Sequence, residues 1–254
     1  MIAKPACIIF FAGTLALPSL CAGDILEPEK VIPLIQDVDV LVIGGTCGAV
    51  AASESAARAG AKVFLATPGL CLGEDVAGTL RLWADATALG TSELMGRIFP
   101  APEKGPASGR VYTTPLHAKK ALDTTLLSAG VRFLTGAYAT DVLTDASGHP
   151  AGVVICDRSG RQAVRAKVII DATARGMIAR QAGAEFTPFP GGTYTVSRVV
   201  IAGSPPECGG TVVQHNEWKP EKGVLQLWSK KSIVPGLYEC RFELPFADGT
   251  PSAF

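Results

Sequence analysis

The sequence lacks several features that would point directly to a function. Lysine plus arginine and aspartate plus glutamate number 23 each, so neither sign of charge is in excess. A basic surface for nucleic acid or for an anionic membrane is therefore not expected. The chain has 3 histidines, and no CxxC pair or cysteine and histidine cluster has the spacing of a zinc site. We therefore expect no nucleic-acid partner and no metal centre.

The N-terminal apolar run, residues Ala6 to Leu17, is too short to cross a bilayer. It follows Lys4 and is succeeded by small residues that end at Ala22. This order is typical of a secretory signal peptide. We predict that residues 1–22 are removed and that the mature chain is exported, to the periplasm or the extracellular space, with no membrane span. An uncleaved anchor or a buried helix is the alternative.

Cleavage there removes two of the 7 cysteines. The five that remain are unevenly spaced, and their number is odd. In an exported protein Cys208 and Cys240 are the pair to test for a disulfide, and buried free thiols are the alternative. The remaining cysteines are Cys47, Cys71, Cys156, Cys208 and Cys240.

The segment from Val38 to Ala66 reads as a strand, a glycine turn, a helix and a second strand. The apolar run that ends at Ile43 is typical of a central parallel strand buried on both faces. Small alanines then allow the helix to lie close to the sheet, and Gly60 ends it. Amides at the start of such a helix point at the position that a pyrophosphate occupies. This segment predicts a dinucleotide site, and an ordinary βαβ unit is the alternative.

The glycine turn departs from the GxGxxG pattern at the second position, which is threonine, and has alanine at the third. The carboxylate that binds a ribose at the end of the second strand is also missing, and Thr67 stands there. A helix N-terminus lowers the pKa of a thiol, so a redox role for Cys47 is a further alternative. The predicted site residues are Gly44, Gly45, Thr46, Cys47, Gly48, Ala49 and Thr67.

The rest of the chain alternates further elements. The loop from Thr67 to Trp83 carries Glu74, Asp75 and Arg81, and a helix with His117 on it follows. A lone histidine on a helix is more often structural than catalytic. The sequence predicts a strand over Lys167 to Thr173 that is buried and parallel. The other predicted strands cover residues 131–135, 138–143, 152–157 and 162–170, and then 194–202, 211–215, 224–228 and 237–244 in an antiparallel sheet.

These motifs, in this order, resemble the exported FAD-dependent oxidoreductases of the glutathione-reductase-like fold. The resemblance covers most of residues 37–250 and rests on VIGGTCGAVAAS, CLGED, TPLHAKKALDTTLLSAGVRFLTG, AKVIIDATARGMIARQAGAEF and YECRFELPFADGT. It implies an α/β fold, with a Rossmann-like FAD-binding domain over residues 37–184 that has a parallel sheet and an inserted β-meander. An incomplete antiparallel substrate domain follows over residues 185–254.

The resemblance also implies FAD as the cofactor and an enzyme that moves a hydride or electrons between the flavin and an unknown small-molecule substrate. It places Ala172 and Thr173 near the flavin phosphates and the backbone of Ala139 near the adenine. The CLGED loop, with Gly73, Glu74 and Asp75, is implied to pass the flavin ring. No catalytic residue can be assigned.

Two departures from the family pattern are visible. Ala174 stands where the family has the glycine of a DATG motif, and the chain stops at Phe254 before the later GD-type strand. We therefore expect an N-terminal fragment of a longer enzyme. An NAD-dependent enzyme and a truncated, non-catalytic nucleotide-binding protein are the alternatives.

Overall fold

A computed structural model of the protein describes residues 30–101, 109–216, 218 and 236–248. The predicted signal peptide and the strand predicted over residues 224–228 lie outside this range. From residue 32 onward the described residues form one compact unit. No helix among them has the length and apolar character needed to span a bilayer.

The main layer is a six-stranded mixed sheet with the order β5-β2-β1-β8-β7-β6. Strands β5, β2, β1 and β8 are parallel to one another, whereas β6, β7 and β8 form an antiparallel meander. This arrangement confirms the predicted α/β class with an inserted meander. The strands are β1 (Leu34–Ile43), β2 (Val63–Thr67), β5 (Arg132–Thr135), β6 (Tyr138–Thr144), β7 (Pro150–Asp157) and β8 (Gly160–Asp171).

The apolar run of β1 is buried on both faces of this sheet, as predicted. Val42 packs in one hydrophobic cluster, and its neighbours Leu41 and Ile43 pack in another. Helix α1 (Cys47–Arg58) follows directly and buries Ala49 against the first cluster. These contacts place the start of α1 at the carboxyl end of β1, where the glycine turn lies.

The prediction for Lys167 to Thr173 was correct in direction and wrong in burial. This segment ends β8, a single strand that is antiparallel to β7 and parallel to β1. Val168 is 52% exposed, and Lys167 donates to Asp39 Oδ1 at 2.6 Å. An apolar run cannot reveal whether both faces of its strand are covered, and here one face is partly open.

A separate three-stranded antiparallel sheet has the order β10-β11-β9, which confirms the predicted change to antiparallel strands. The domain boundary between residues 184 and 185 stays a prediction. The remaining described strands and α-helices are β3 (Trp83–Asp85), β4 (Arg110–Tyr112), β9 (Gly192–Ala202), β10 (Thr211–His215), β11 (Gly236–Phe246), α2 (Glu93–Ile98), α3 (Pro115–Ser128) and α4 (Met177–Gln181).

Cys240 lies on β11 of this sheet, and burial and then the neighbouring thiol of Cys208 raise the pKa of its thiol. Both thiols are free. Mild oxidation by a disulfide reagent is expected to join them, with the reagent taking the two electrons that the thiols lose. The disulfide should raise the free energy of unfolding by about 3 kcal/mol, because the cross-link closes a loop and so lowers the conformational entropy of the unfolded chain. Peptide mapping without reductant and urea denaturation measure this. Oxidised protein in which Cys208 is absent from any cross-linked peptide would contradict the prediction, and Cys208→Ser is the control.

Candidate cofactor site

The glycine turn lies against the end of β8. Gly44 has a φ of +131°, and a Cβ placed on it would lie 2.5 Å from the carbonyl oxygen of Ala172. Ala172 N in turn donates to Ile43 O at 2.8 Å. Only glycine can adopt this backbone conformation and leave this space. The structure thus brings Ala172 to the turn, as the family resemblance implied.

The first turn of α1 is partly occupied by side chains of the protein. Thr46 Oγ1 accepts from Ala49 N at 3.2 Å, which caps the helix. Cys47 N donates to both carboxylate oxygens of Asp75, at 3.0 and 3.2 Å. An anion therefore already sits where the helix amides and dipole favour one.

Gly48 leaves the next position open. Gly48 N has no acceptor among the described residues, and a Cβ there would meet nothing closer than Thr46 Oγ1, 3.6 Å away. No packing contact in the described part of the chain therefore requires glycine at this exposed position. A ligand phosphate could approach the helix here.

Cys47 is not an activated thiol. Burial, and then the charge and hydrogen bond of Asp75, raise its pKa to about 12. The thiol is therefore protonated at neutral pH, although it lies at a helix N-terminus. This raised pKa argues against the redox role named as an alternative for Cys47, because burial and the nearby carboxylate outweigh the helix dipole.

The CLGED segment is attached to the turn by its backbone. Gly73 N donates to Gly45 O at 2.7 Å, and Gly73 has a φ of +82° at the start of a π-helical turn, Glu74–Gly78. This turn carries Glu74 toward the end of β2, where Glu74 Oε1 lies 3.4 Å from Thr67 Oγ1. Thr67 is fully buried. Two adjacent acidic residues thus contact different elements, Glu74 the end of β2 and Asp75 the start of α1.

The other predicted residues lie at different distances from this centre. Ala139 is buried in β6, two residues after Ala137, whose N donates to Thr67 O at 2.9 Å. Thr173 is held by Asp171, whose Oδ1 accepts from Thr173 N at 2.9 Å. His117 lies on α3, with Nε2 2.9 Å from the carbonyl oxygen of Arg97, and its contacts are with α2.

Sequence reasoning missed a buried polar cluster around His215. The imidazole stacks on Trp83 with ring centroids 3.9 Å apart, and its Nδ1 lies 3.1 Å from Tyr112 Oη. Its Nε2 is 3.6 Å from Glu239 Oε2, too far for a hydrogen bond. Glu239 also accepts from Arg241 at 2.9 Å. No local pattern could have revealed this cluster, because its members come from β3, β4, β10 and β11.

The charges around His215 make its protonation unfavourable. Burial lowers its pKa, Arg110 on β4 and Arg241 on β11 lower it further, and Glu239 opposes them. The unfolded chain therefore binds more protons than the folded chain as the pH falls below about 6.5. For Glu239 itself, burial raises the pKa, but the bond to Arg241 outweighs burial and lowers it overall. Its titration is therefore confined to lower pH.

The free energy of unfolding is expected to fall as the pH is lowered from about 8 to about 5. The loss should be about 1.4 kcal/mol for each pKa unit by which the folded state lowers the pKa of His215. Urea denaturation across this range measures the free energy of unfolding. His215→Gln should flatten this dependence, because glutamine does not titrate. An equally steep loss in the variant would assign the effect to other groups.

The residues at the turn fit the FAD that the resemblance implies, with one departure. The unpaired amide and open space at Gly48 suit a phosphate, and the carboxylate of Glu74 lies at the end of β2, where a ribose is bound in this type of fold. The departure is Asp75, because a pyrophosphate that uses Cys47 N has to displace its carboxylate. The site thus has the donors FAD needs, together with an internal competitor.

The model of a family described as FAD dependent oxidoreductase matches residues 39–189. No curated protein matches the sequence significantly. Among solved structures, the chain is similar to a geranylgeranyl bacteriochlorophyll reductase-like protein from Thermoplasma acidophilum, with 16% identity and a TM-score of 0.55 over 81% of this chain and 56% of that one. The anhydrotetracycline hydroxylase OxyS from Streptomyces rimosus aligns with 12% identity and a TM-score of 0.52, over 81% and 45% of the two chains.

A third similar structure is CabE, an aromatic hydroxylase from angucycline biosynthesis, with 13% identity and a TM-score of 0.54 over 82% of this chain and 44% of that one. At these identities the likeness establishes the fold alone. The chain spans about half the length of these three structures, between 44% and 56%. The family match covers well over half of the chain and includes the glycine turn, the CLGED segment and the end of β8. The chain therefore belongs to the FAD-dependent oxidoreductase family, and FAD is its cofactor.

Proposed function

We propose that this protein acts as an oxidoreductase that transfers a hydride or electrons between a small-molecule substrate and its bound flavin. One observation carries the proposal: three distant segments meet at the start of α1. These are the glycine turn, the CLGED segment and the end of β8, held together by the contacts of Gly44 with Ala172 and of Gly73 with Gly45. The flavin supplies the redox chemistry, and the protein binds and orients it.

The residues present suggest how this binding is divided. The first turn of α1, with the amide of Gly48, would hold the pyrophosphate. The backbone of β6 at Ala139 would approach the adenine, because the chain just before it is bonded to the end of β2. The substrate would lie on the flavin side.

The test is the visible absorption spectrum of the purified protein, with the released cofactor identified after denaturation. Protein purified without flavin is also titrated with FAD. A flavin spectrum, bleached by a reduced substrate or by reduced nicotinamide under anaerobic conditions, supports the proposal. Protein that contains no flavin and does not bind added FAD would overturn it, and binding of a nicotinamide alone would favour an NAD-dependent enzyme.

We also propose that the mature chain is exported after cleavage following Ala22. Support comes from Lys4, the apolar run and the small residues before the cleavage point. N-terminal sequencing of the protein recovered from the producing cell should begin at Gly23. Recovery of protein that still begins at Met1 would contradict cleavage.

A further inference from the structure

We propose that Glu74 binds the ribose hydroxyls of the adenosine half of FAD, in place of the acidic residue that is missing from the end of β2. The inference rests on the FAD-dependent function proposed above. It assigns Glu74 to the adenosine half of the cofactor, whereas the family resemblance implied that the CLGED loop passes the flavin ring.

The end of β2 faces the glycine turn, as the ribose-binding position of a dinucleotide fold does. The side chain of Thr67 points there, because a Cβ placed on Gly45 would lie 2.5 Å from Thr67 Oγ1. Thr67 has a short side chain with no carboxylate, and its hydroxyl already accepts from Gly69 N at 3.2 Å. Thr67 therefore marks the position but lacks the chemistry.

Glu74 brings a carboxylate to the same position from another part of the chain. Its Oε1 accepts from Thr67 Oγ1 at 3.4 Å. The Glu74 carboxylate therefore lies beyond the Thr67 hydroxyl, about where the carboxylate of an acidic residue at position 67 would lie. The two residues together thus place a carboxylate where the fold normally has one.

The chain also contains a space shaped for this carboxylate. A Cβ on Gly69 would lie 1.8 Å from Glu74 Oε1, and the three nearest atoms to it all belong to Glu74. The φ of Gly69 is not among the positive values of the chain, so its backbone conformation does not require glycine. Among the described residues, the space that Gly69 leaves open is used by Glu74.

The segment that carries Glu74 is fixed to the turn on both sides of it. Gly73 N donates to Gly45 O at 2.7 Å, and Asp75 accepts from Cys47 N. Glu74 is half-buried, and its carboxylate has no ion-pair partner among the described residues. It therefore retains acceptor capacity for two hydroxyl groups, which is what a ribose diol offers.

The experiment compares FAD with its analogue that has 2′-deoxyadenosine, each titrated into cofactor-free protein and followed by flavin fluorescence. The wild type is expected to bind FAD about 10-fold more tightly than the analogue. Glu74→Gln is expected to bind FAD about 10-fold more weakly than the wild type does, and to bind FAD and the analogue equally well. Riboflavin 5′-phosphate, which has no adenosine, should bind both proteins equally. Glu243→Gln, on an exposed strand residue far from the turn in sequence, is the matched charge control.

Gly69→Ala provides an independent check, since its methyl group would expel the Glu74 carboxylate. It should weaken FAD binding by a similar factor in the wild type and have no further effect in the Glu74→Ala background. Circular dichroism and urea denaturation show whether each variant is folded. Equal discrimination against the analogue in wild type and Glu74→Gln would overturn the inference and leave the FAD function standing. Failure of the wild type to bind FAD at all would overturn the proposed function itself.

Discussion

Asp75→Asn is expected to bind FAD about 10-fold more tightly than the wild type, although it weakens a hydrogen-bonded contact within the protein. The carboxylate of Asp75 accepts from Cys47 N at 3.0 and 3.2 Å, which is the position that a pyrophosphate needs. A pyrophosphate that uses Cys47 N has to break this contact and comes close to the carboxylate, which repels it. Asparagine removes the repulsion and gives up the amide of Cys47 more easily.

The same substitution should lower the stability of the cofactor-free protein by about 1 kcal/mol, because the start of α1 loses a charged partner. FAD titration and urea denaturation of the cofactor-free protein measure the two effects. Weaker binding of FAD by Asp75→Asn would show that the carboxylate assists the cofactor. The adjacent Glu74→Gln serves as the control, because a general charge effect would change both affinities in the same direction.

Gly44→Ala is expected to destabilise the fold by about 3 to 5 kcal/mol, from the backbone strain and the steric overlap together. Its φ of +131° is strained for any residue with a side chain, and the new methyl group would lie 2.5 Å from Ala172 O. The turn and the end of β8 would have to separate, so FAD binding should be lost as well. Urea denaturation and FAD titration again provide the measurements.

Gly48→Ala is the matched comparison, since the same change is made four residues away. Its Cβ meets no atom within 3.4 Å, the nearest being Thr46 Oγ1 at 3.6 Å. We expect the unfolding free energy to stay the same or rise by up to about 1 kcal/mol, because alanine favours a helix, while FAD affinity falls. If both variants kept full stability and full affinity, the turn would not be the cofactor site.

The sequence was most informative where the contacts are local. The strand, glycine turn and helix from Val38 onward form through neighbouring residues, so their pattern predicted them correctly. The positions of Glu74 and Asp75 depend on two glycines. Gly69 leaves space for the Glu74 side chain, and Gly73 adopts a left-handed backbone conformation. The sequence of an acidic pair in a loop does not indicate which element each side chain contacts.

Two other features escaped prediction because each depends on how elements pack. The apolar run that ends β8 has the composition of a buried strand, but the burial of Val168 is decided by what covers the sheet there. The cluster around His215 combines side chains from strands far apart in the chain, and each is unremarkable in its own segment. The pKa of His215 is lowered first by its burial and then by Arg110 and Arg241, and both effects arise only when these strands pack together.

The place of β8 in the sheet determines when the fold can be completed. Strand β1 pairs with β8 across a separation of 128 residues, as the contact of Asp37 with Arg165 shows. The hairpin of β7 and β8 closes through the turn at Asp157, but β1 has to wait for that hairpin to be synthesised. Such long-range closure slows folding. While the chain folds, one edge of β1 therefore stays unpaired, and is open to chaperones or to aggregation, until β8 adds to it.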